Sequence, residues 1–473
     1  MRTLNKGMIV ILGLIAVTVA ALAYMGVHPG AVQGGPLPDM GGDGRVSVAT
    51  RITQDKVLVG SDGRVAMAVT MAAAAATPSD DEPVRPVDLV IVIDRSGSMQ
   101  GQKIEATRNA VLQLIERLTP KDRLALVAYA DGVQVVAPLT AMSADRHTQL
   151  ARLMAQIQAG GSTNLGGGLR QGIELLQTAP DTARQRRVIL ISDGLANQGI
   201  TDPGALGQMA AAATDGHFAV STVGVGLEFN ELLMTTIADH GLGRYYFLED
   251  PLVFAQVFEK EFQTARQVAA ADVTLRVPLA EGVRLIDAGG YPIRRAAGHA
   301  VVRAGDLIAG GERKLFLTFQ VPTDREGRFS IGGARLTYQS QGQEHALAPT
   351  GEFFVACSMD RQAVTASVDK ETWGGHVVQE SYNQLKEAVA DALRRGEASE
   401  AEQRIRDYAA EKRRINAAVG SAAVTRHLDQ DIKALEETVA ETFAGPPAAV
   451  AAKQKQNAKA LQYESYRERR AKN

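Results

Sequence analysis

One cysteine, Cys357, stands alone in 473 residues, which rules out an intramolecular disulfide and any metal site built from several thiolates. The thiol reads as a small buried hydrophobe rather than a reactive group. Exported proteins without disulfides are common, so the cysteine count does not set the compartment. Charge of either sign is also not in excess: 51 Lys and Arg face 53 Asp and Glu, for a formal net charge of -2. A nucleic-acid binder carries a basic stripe or domain in its core, and here only the extreme C-terminal tail is basic. His-Glu-x-x-His is missing, and there is no Gly-x-Ser-x-Gly elbow with a suitable His partner. The glycines at Gly160, Gly161 and Gly166–Gly168 are not followed by Gly-Lys-Ser/Thr, and the run ends in Leu169. These absences argue against zinc-hydrolase, serine-hydrolase and P-loop chemistry. His147, His217 and His240 fall at the edges of expected elements and read as surface or satisfied core residues.

Hydrophobic residues make up 45% and charged residues 22%, a globular balance. The length implies about two to four domains. Arg2 and Lys6 precede an uncharged, mostly apolar run over Met8–Val27, long enough for a bilayer, which needs roughly 20 residues. The next basic residue is Arg45, so the bulk of the chain is expected on the extracytoplasmic side, in a periplasm or at a cell surface. Residues 1–27 read as a membrane anchor or a signal peptide. Ala21-Leu22-Ala23 fits a cleavage site that would release a secreted form, whereas continuation of the run to Val27 favours a retained anchor.

Residues 28–43, rich in Gly and Pro, read as a flexible linker. Val46, Val48, Thr50 and Ile52, then Val65, Met67, Val69 and Met71, alternate with period two and predict strands within 44–77. Across 86–265 short apolar runs alternate with helical-period segments. This pattern predicts an α/β domain with a mostly parallel, doubly wound sheet. Period two returns over 266–357, in Val273–Leu279, Leu315–Val321, Leu336–Tyr338 and Phe353–Ala356. Two strands alone are marginal, so the early pair is expected to join these later strands in one β-sandwich into which the α/β domain is inserted. A separate hairpin packed on the α/β domain is the alternative. Residues 368–445 read as helical, with apolar stripes at Leu385, Val389 and Leu393 and at Leu428, Ile432, Leu435 and Val439. The stripes suit either a helical hairpin or an oligomer seam. Residues 446–473 read as a basic, solvated and partly disordered tail.

The stretch that carries chemistry runs from Asp88 through Asp94, Ser96 and Ser98 to Gly101. A buried strand ends in Asp94, and a tight turn then presents two hydroxyls before a helix. Ligands of open α/β sheets sit beyond the carboxyl ends of strands, where this turn must lie. A looped backbone can aim Asp94, Ser96 and Ser98 at one centre, and such hard oxygens suit Mg²⁺, Ca²⁺ or Mn²⁺ rather than zinc or copper.

Asp-x-Ser-x-Ser at the end of the first α/β strand resembles the metal-ion-dependent adhesion site of von Willebrand factor A-type domains. Gly160-Gly161-Ser162-Thr163-Asn164-Leu165 resembles the family's threonine loop, and Val188–Asp193 followed by Gly194 resembles the strand that carries its later aspartate. The resemblance covers about residues 86 to 265. More loosely, the arrangement is similar to bacterial exported proteins and inter-alpha-inhibitor heavy chains, where such a domain accompanies β-sandwich segments. The resemblance implies a metal site of Asp94, Ser96, Ser98, Thr163 and Asp193, with the hydroxyls touching the ion and at least one aspartate acting through water. Ser162 competes with Thr163 for the loop position, and the Thr-Asn-Leu context favours Thr163. Arg95 either helps to attract an anionic partner or points into solvent.

Binding without catalysis is the function that the resemblance implies: a Mg²⁺-type ion, incompletely neutralised by hydroxyls, takes an Asp or Glu side chain of a partner protein. The same likeness implies that ligand binding can shift the domain's last helix, about Pro251–Thr264. Rival readings are a Mg²⁺-dependent hydrolase or phosphoryl-transfer enzyme, and a structural envelope protein that the metal merely stabilises.

Overall fold

Strand Val87–Asp94 is buried at every position, as a central strand covered on both faces requires. Its side chains divide with period two. Val87, Leu89, Ile91 and Ile93 enter one core with helices Gln102–Arg117, Ala144–Gln156 and Phe254–Arg266. Val90 and Val92 enter the opposite core with helices Leu165–Gln177, Pro203–Asp215 and Glu231–His240. The six-stranded sheet has the spatial order Leu242–Leu248, Ala219–Val225, Gln185–Ser192, Val87–Asp94, Arg123–Tyr129, Val133–Ala141. Neighbours are parallel except for the last pair. Chain order reverses between Val87–Asp94 and Gln185–Ser192, the place where open α/β sheets leave a crevice beyond the strand ends. This is the mostly parallel, Rossmann-like domain expected from the alternation of elements.

The structure, a computed structural model, describes residues 41–75, 86–179, 181, 184–193, 195–249, 254–331, 333–340, 342–347 and 353–470. The expected anchor or signal segment, 1–27, and most of the expected linker lie outside the described residues. Gly41–Gly42, at the end of that linker, pairs with Val46–Ile52. Among the described residues no helix is long and apolar enough to cross a membrane.

Strands on both sides of the α/β domain share sheets. Arg64–Ala73 pairs with Val46–Ile52 on one edge and with Glu312–Gln320 on the other. The second sheet has the order Ile293–Ala296, His299–Ile308, Val268–Pro278, Arg335–Ser340, Gln343–Leu347. The two sheets bury one core, in which Met67, Val69 and Phe319 meet Leu275, Val302 and Tyr338. Cys357 is 3% exposed within it.

The C-terminal helices Tyr382–Arg395, Ala398–Val419 and Ala422–Phe443 close a core of their own. Both apolar stripes point into it, so they are covered within one chain and are not available as an oligomer seam. Residues 446–470, the described part of the expected tail 446–473, differ most from expectation. Instead of a partly disordered tail, Pro447–Arg469 is a helix that buries Lys459, Ser465, Tyr466 and Arg469. Its cations have partners in the chain itself. Arg469 lies 2.8 Å from Asp287, 2.8 Å from Glu380 and 2.9 Å from Glu387, and Arg470 makes a bidentate contact with Asp239. Buried pairs of this kind hold a polar helix in place where an apolar stripe is missing.

Candidate metal-binding site

The crevice at the strand reversal is built from three loops. Asp94 ends the central strand, and its Oδ1 accepts the Ser96 N–H at 2.8 Å, a local turn that folds the chain back on itself. The Ser96 and Ser98 hydroxyls are then 3.1 Å apart. Gly101, at φ 80°, makes the left-handed step into helix Gln102–Arg117.

The second loop lies against this turn. Gly160 N–H donates to Arg95 O at 2.7 Å, and Gly97 N–H donates to Gly161 O at 3.0 Å. Gly161 has φ 86°, and a Cβ there would collide with the Asp131 carboxylate, so only glycine fits. Asp131 Oδ1 accepts the Ser162 N–H at 3.0 Å. That backbone bond, with a second from the Ser162 hydroxyl, holds the Asp131 carboxyl below its ordinary value. Ser162 is thus engaged at the outer side of the loop. Thr163, 3% exposed, is fixed by paired bonds with Asn197, N–H to Oδ1 at 2.9 Å and O from N–H at 3.2 Å. Arg95 is half-buried, and its charge also favours ionised Asp131.

Asp193, the first residue after strand Gln185–Ser192, completes the crevice. Ser98 Oγ donates to its Oδ1 at 2.7 Å, and the Lys103 ammonium contacts its Oδ2. Asp94 and Asp193 are both fully buried, Ser96 is 1% exposed, and Ser98 lies on the exposed rim. The structure therefore brings Asp94, Ser96, Ser98 and Asp193 into one bonded group and docks the Thr163 loop onto the same turn.

Three contributors escape a reading of the sequence alone. Ser192 Oγ donates to Asp94 Oδ2 at 2.7 Å, Tyr129 OH reaches the same oxygen at 3.3 Å, and Lys103 neutralises Asp193. Ser192 has a signal, since it directly precedes Asp193. Tyr129 and Lys103 have none, because only the strand pairing and the helix start bring them in. Burial raises the Asp94 carboxyl above its ordinary value, hydrogen bonds from Ser96 and Ser192 oppose the shift, and Asp193 adds to it. Two desolvated carboxylates side by side call for a cation.

The donors fit a hard divalent ion. Among the described residues no cluster of three or more His, Cys, Asp or Glu could hold a metal, so any ion must rely on hydroxyl oxygens beside Asp94 and Asp193. Such oxygens suit Mg²⁺, Ca²⁺ or Mn²⁺. Lys103 already brings one positive charge to Asp193.

Fold and crevice together define a known class. Residues 88–260 match the model of the von Willebrand factor type A domain, and the chain carries such a domain. The uncharacterized protein sll0103 of Synechocystis is 27% identical over 288 residues, which cover 58% of this chain and 67% of that one. Human inter-alpha-trypsin inhibitor heavy chain H4 is 26% identical over 227 residues, 43% of this chain but only 24% of that one. This chain therefore spans about a quarter of the heavy chain's length. A solved von Willebrand factor type A protein of Catenulispora acidiphila superposes with a TM-score of 0.65 at 20% identity, covering 92% of this chain and 99% of that one. The shared architecture thus extends beyond the α/β domain. Domains of this family commonly bind a divalent metal and typically act as protein-interaction modules rather than enzymes.

Proposed function

We propose that the protein captures an Asp or Glu side chain of a partner protein at a Mg²⁺-type ion held by Asp94, Ser96, Ser98, Thr163 and Asp193. The observation that carries this reading is the 2.7 Å bond from Ser98 Oγ to Asp193 Oδ1, which joins an exposed hydroxyl to a buried carboxylate from a distant loop. Asp94 spends its oxygens on Ser96, Ser192 and Tyr129, so it acts as the anchor of the turn, and the exposed Ser98 hydroxyl forms the open face. Bound there, the ion supplies positive charge that neutral hydroxyls leave uncompensated, and this favours an incoming carboxylate. The basic residues before the apolar N-terminal run support an extracytoplasmic place for this binding.

Calorimetry with MgCl₂ on the full chain is expected to show saturable binding that Asp193→Ala removes. Retention of envelope proteins on the immobilised chain is expected in Mg²⁺ and not in EDTA. Equal retention under both conditions would sink the proposal.

A further inference from the structure

The opposite end of the same sheet carries a second built site. A cavity of about 120 Å³ lies where the α/β domain meets the β-sandwich. Arg186, His217, Phe218 and Leu242 line it from one side, and Asp272 and Gln339 from the other. Among the described residues the non-glycine positions with positive φ are His217 at 55°, Leu242 at 57° and Asp272 at 51°, and every one of them is on this wall. Leucine in the left-handed region is a true outlier, and such conformations persist only where the surroundings impose them, typically around ligands. Strand register also shifts at two of these points, between Leu242 and Tyr245 and between Ala270 and Val273. Bulges of this kind re-aim side chains beside binding sites. Domain junctions are also where ligand pockets preferentially form.

The polar groups on the wall specify what would fit. Its acids are already matched: Asp272 is held by Arg303 at 2.6 Å, and Asp306 by Arg187 at 3.2 Å. Arg186, 5% exposed, donates from Nη1 to Gly216 O at 2.6 Å and from Nη2 to Leu176 O. Its buried Nε has no hydrogen-bond partner among the described residues. The Arg186 guanidinium lies 5.1 Å from the Phe218 ring centre, so cation and apolar surface adjoin. A buried donor without an acceptor is costly. The bonds that Arg186 Nη1 and Nη2 make go to neutral carbonyls, which leaves a cation for a carboxylate beside the cavity, and Phe218, Leu242 and Ala271 offer a place for hydrocarbon.

We propose that this cavity is a binding site for a small aliphatic carboxylate, with its acid group at Arg186 and its apolar body between Phe218 and Leu242. Engineered apolar cavities of about 150 Å³ take benzene, so a ligand here has about six non-hydrogen atoms. Because the walls come from both domains, occupancy ties the α/β domain to the sandwich from the side away from Asp94. The inference is independent of the metal reading.

The test is a ligand-observed NMR titration of the full chain with sodium isobutyrate, using isobutylamine as the control of opposite charge. Saturable binding of isobutyrate and none of the amine is expected. Arg186→Met should weaken binding about tenfold or more, the usual effect of losing one charge-assisted hydrogen bond. Arg186 also caps two helix ends and that variant can fail to fold, so Ala271→Leu, which fills the cavity from the sandwich side, is the second variant and should abolish binding. Addition of EDTA, or Asp193→Ala, should leave isobutyrate binding unchanged. Failure of isobutyrate to bind, equal binding of the amine, or full binding to folded Ala271→Leu would overturn the assignment.

Discussion

Asp88 and Asp94 stand at the two ends of one strand, both fully buried, yet their surroundings differ in kind. Asp88 is closed by arginines: Arg184 lies at 2.6 Å, and Arg123 reaches it with Nε at 2.8 Å. Its neighbour Asp122 is likewise taken, by Arg266 at 2.7 Å and by backbone N–H of Val87 at 2.9 Å. At the other end Asp94 meets hydroxyls, and Asp193 meets one hydroxyl and one flexible lysine. A guanidinium fork fixed on a carboxylate satisfies it permanently. Hydroxyls satisfy its hydrogen bonds and leave its charge, so only the second end has use for an outside cation.

The arginine-closed class gives the largest predicted effect. Arg470 and Asp239, 9% and 6% exposed, are a buried pair of this class, and Tyr466 OH adds a bond to Asp239 at 3.0 Å. Removing one partner of such a pair costs about 3–5 kcal/mol because the other is left as an uncompensated buried charge. Arg470→Ala should lower the unfolding free energy by about that much in urea denaturation, with Mg²⁺ affinity unchanged. A loss below about 1 kcal/mol, the scale of a surface ion pair, would place this contact at the surface and break the comparison. Asp88→Ala should come next at about 3 kcal/mol, the lower end of that range, since Arg123 is 27% exposed and can rehydrate.

These arginines also show which parts of the fold can be read in advance. Strand Val87–Asp94 announces itself as a continuous apolar run, and Val46–Ile52 and Arg64–Ala73 do so by apolar residues at period two, both of them local signals. Helix Pro447–Arg469 does not, because its buried face is Ala458, Lys459, Leu461, Ser465, Tyr466 and Arg469. Its acids, Asp239, Asp287 and Glu380, lie far away in sequence, and no window along the chain contains both partners. Helix Leu165–Gln177 is hidden for a different reason. Gly166–Gly168 look like loop residues, yet they open the helix because side chains there would collide with the Ile200 carbonyl, Val133 and the Tyr129 ring. The residues of the crevice are legible as types and order. Their approach across the sheet, and the part played by Lys103 and Tyr129, depend on strand pairing that the sequence does not spell out.

Asp193→Ala moves the comparison to the hydroxyl-lined end. Here the expected loss is in metal affinity, at least about a hundredfold, since even supporting residues of a metal site cost ten- to a hundredfold. Stability in EDTA should change by less than for Asp88→Ala, because Lys103, 29% exposed, returns to water when its partner goes. Calorimetry with MgCl₂ and parallel denaturation curves separate the two effects. Equal destabilisation by both substitutions, with no metal phenotype, would make the two ends alike.

The smallest effect is the most informative about how the open end works. Lys103 occupies the first turn of helix Gln102–Arg117 and reaches Asp193 with a flexible stem, while Gly226 lies close to its end. The ammonium competes with a divalent ion for the same carboxylate, so removing it should tighten Mg²⁺ binding. Partial exposure screens the charge, which limits the gain to about three- to tenfold, roughly 1 kcal/mol. Lys103→Met keeps the apolar stem and discards the charge, and Lys103→Arg should do the reverse and weaken binding by installing a guanidinium fork on Asp193. Opposite shifts for the two variants, read by calorimetry at low and high salt, would convert the hydroxyl end into the arginine end by one substitution. Weaker Mg²⁺ binding in Lys103→Met would instead mean that the lysine supports the ion site, and the distinction between the two ends would have to be redrawn around it.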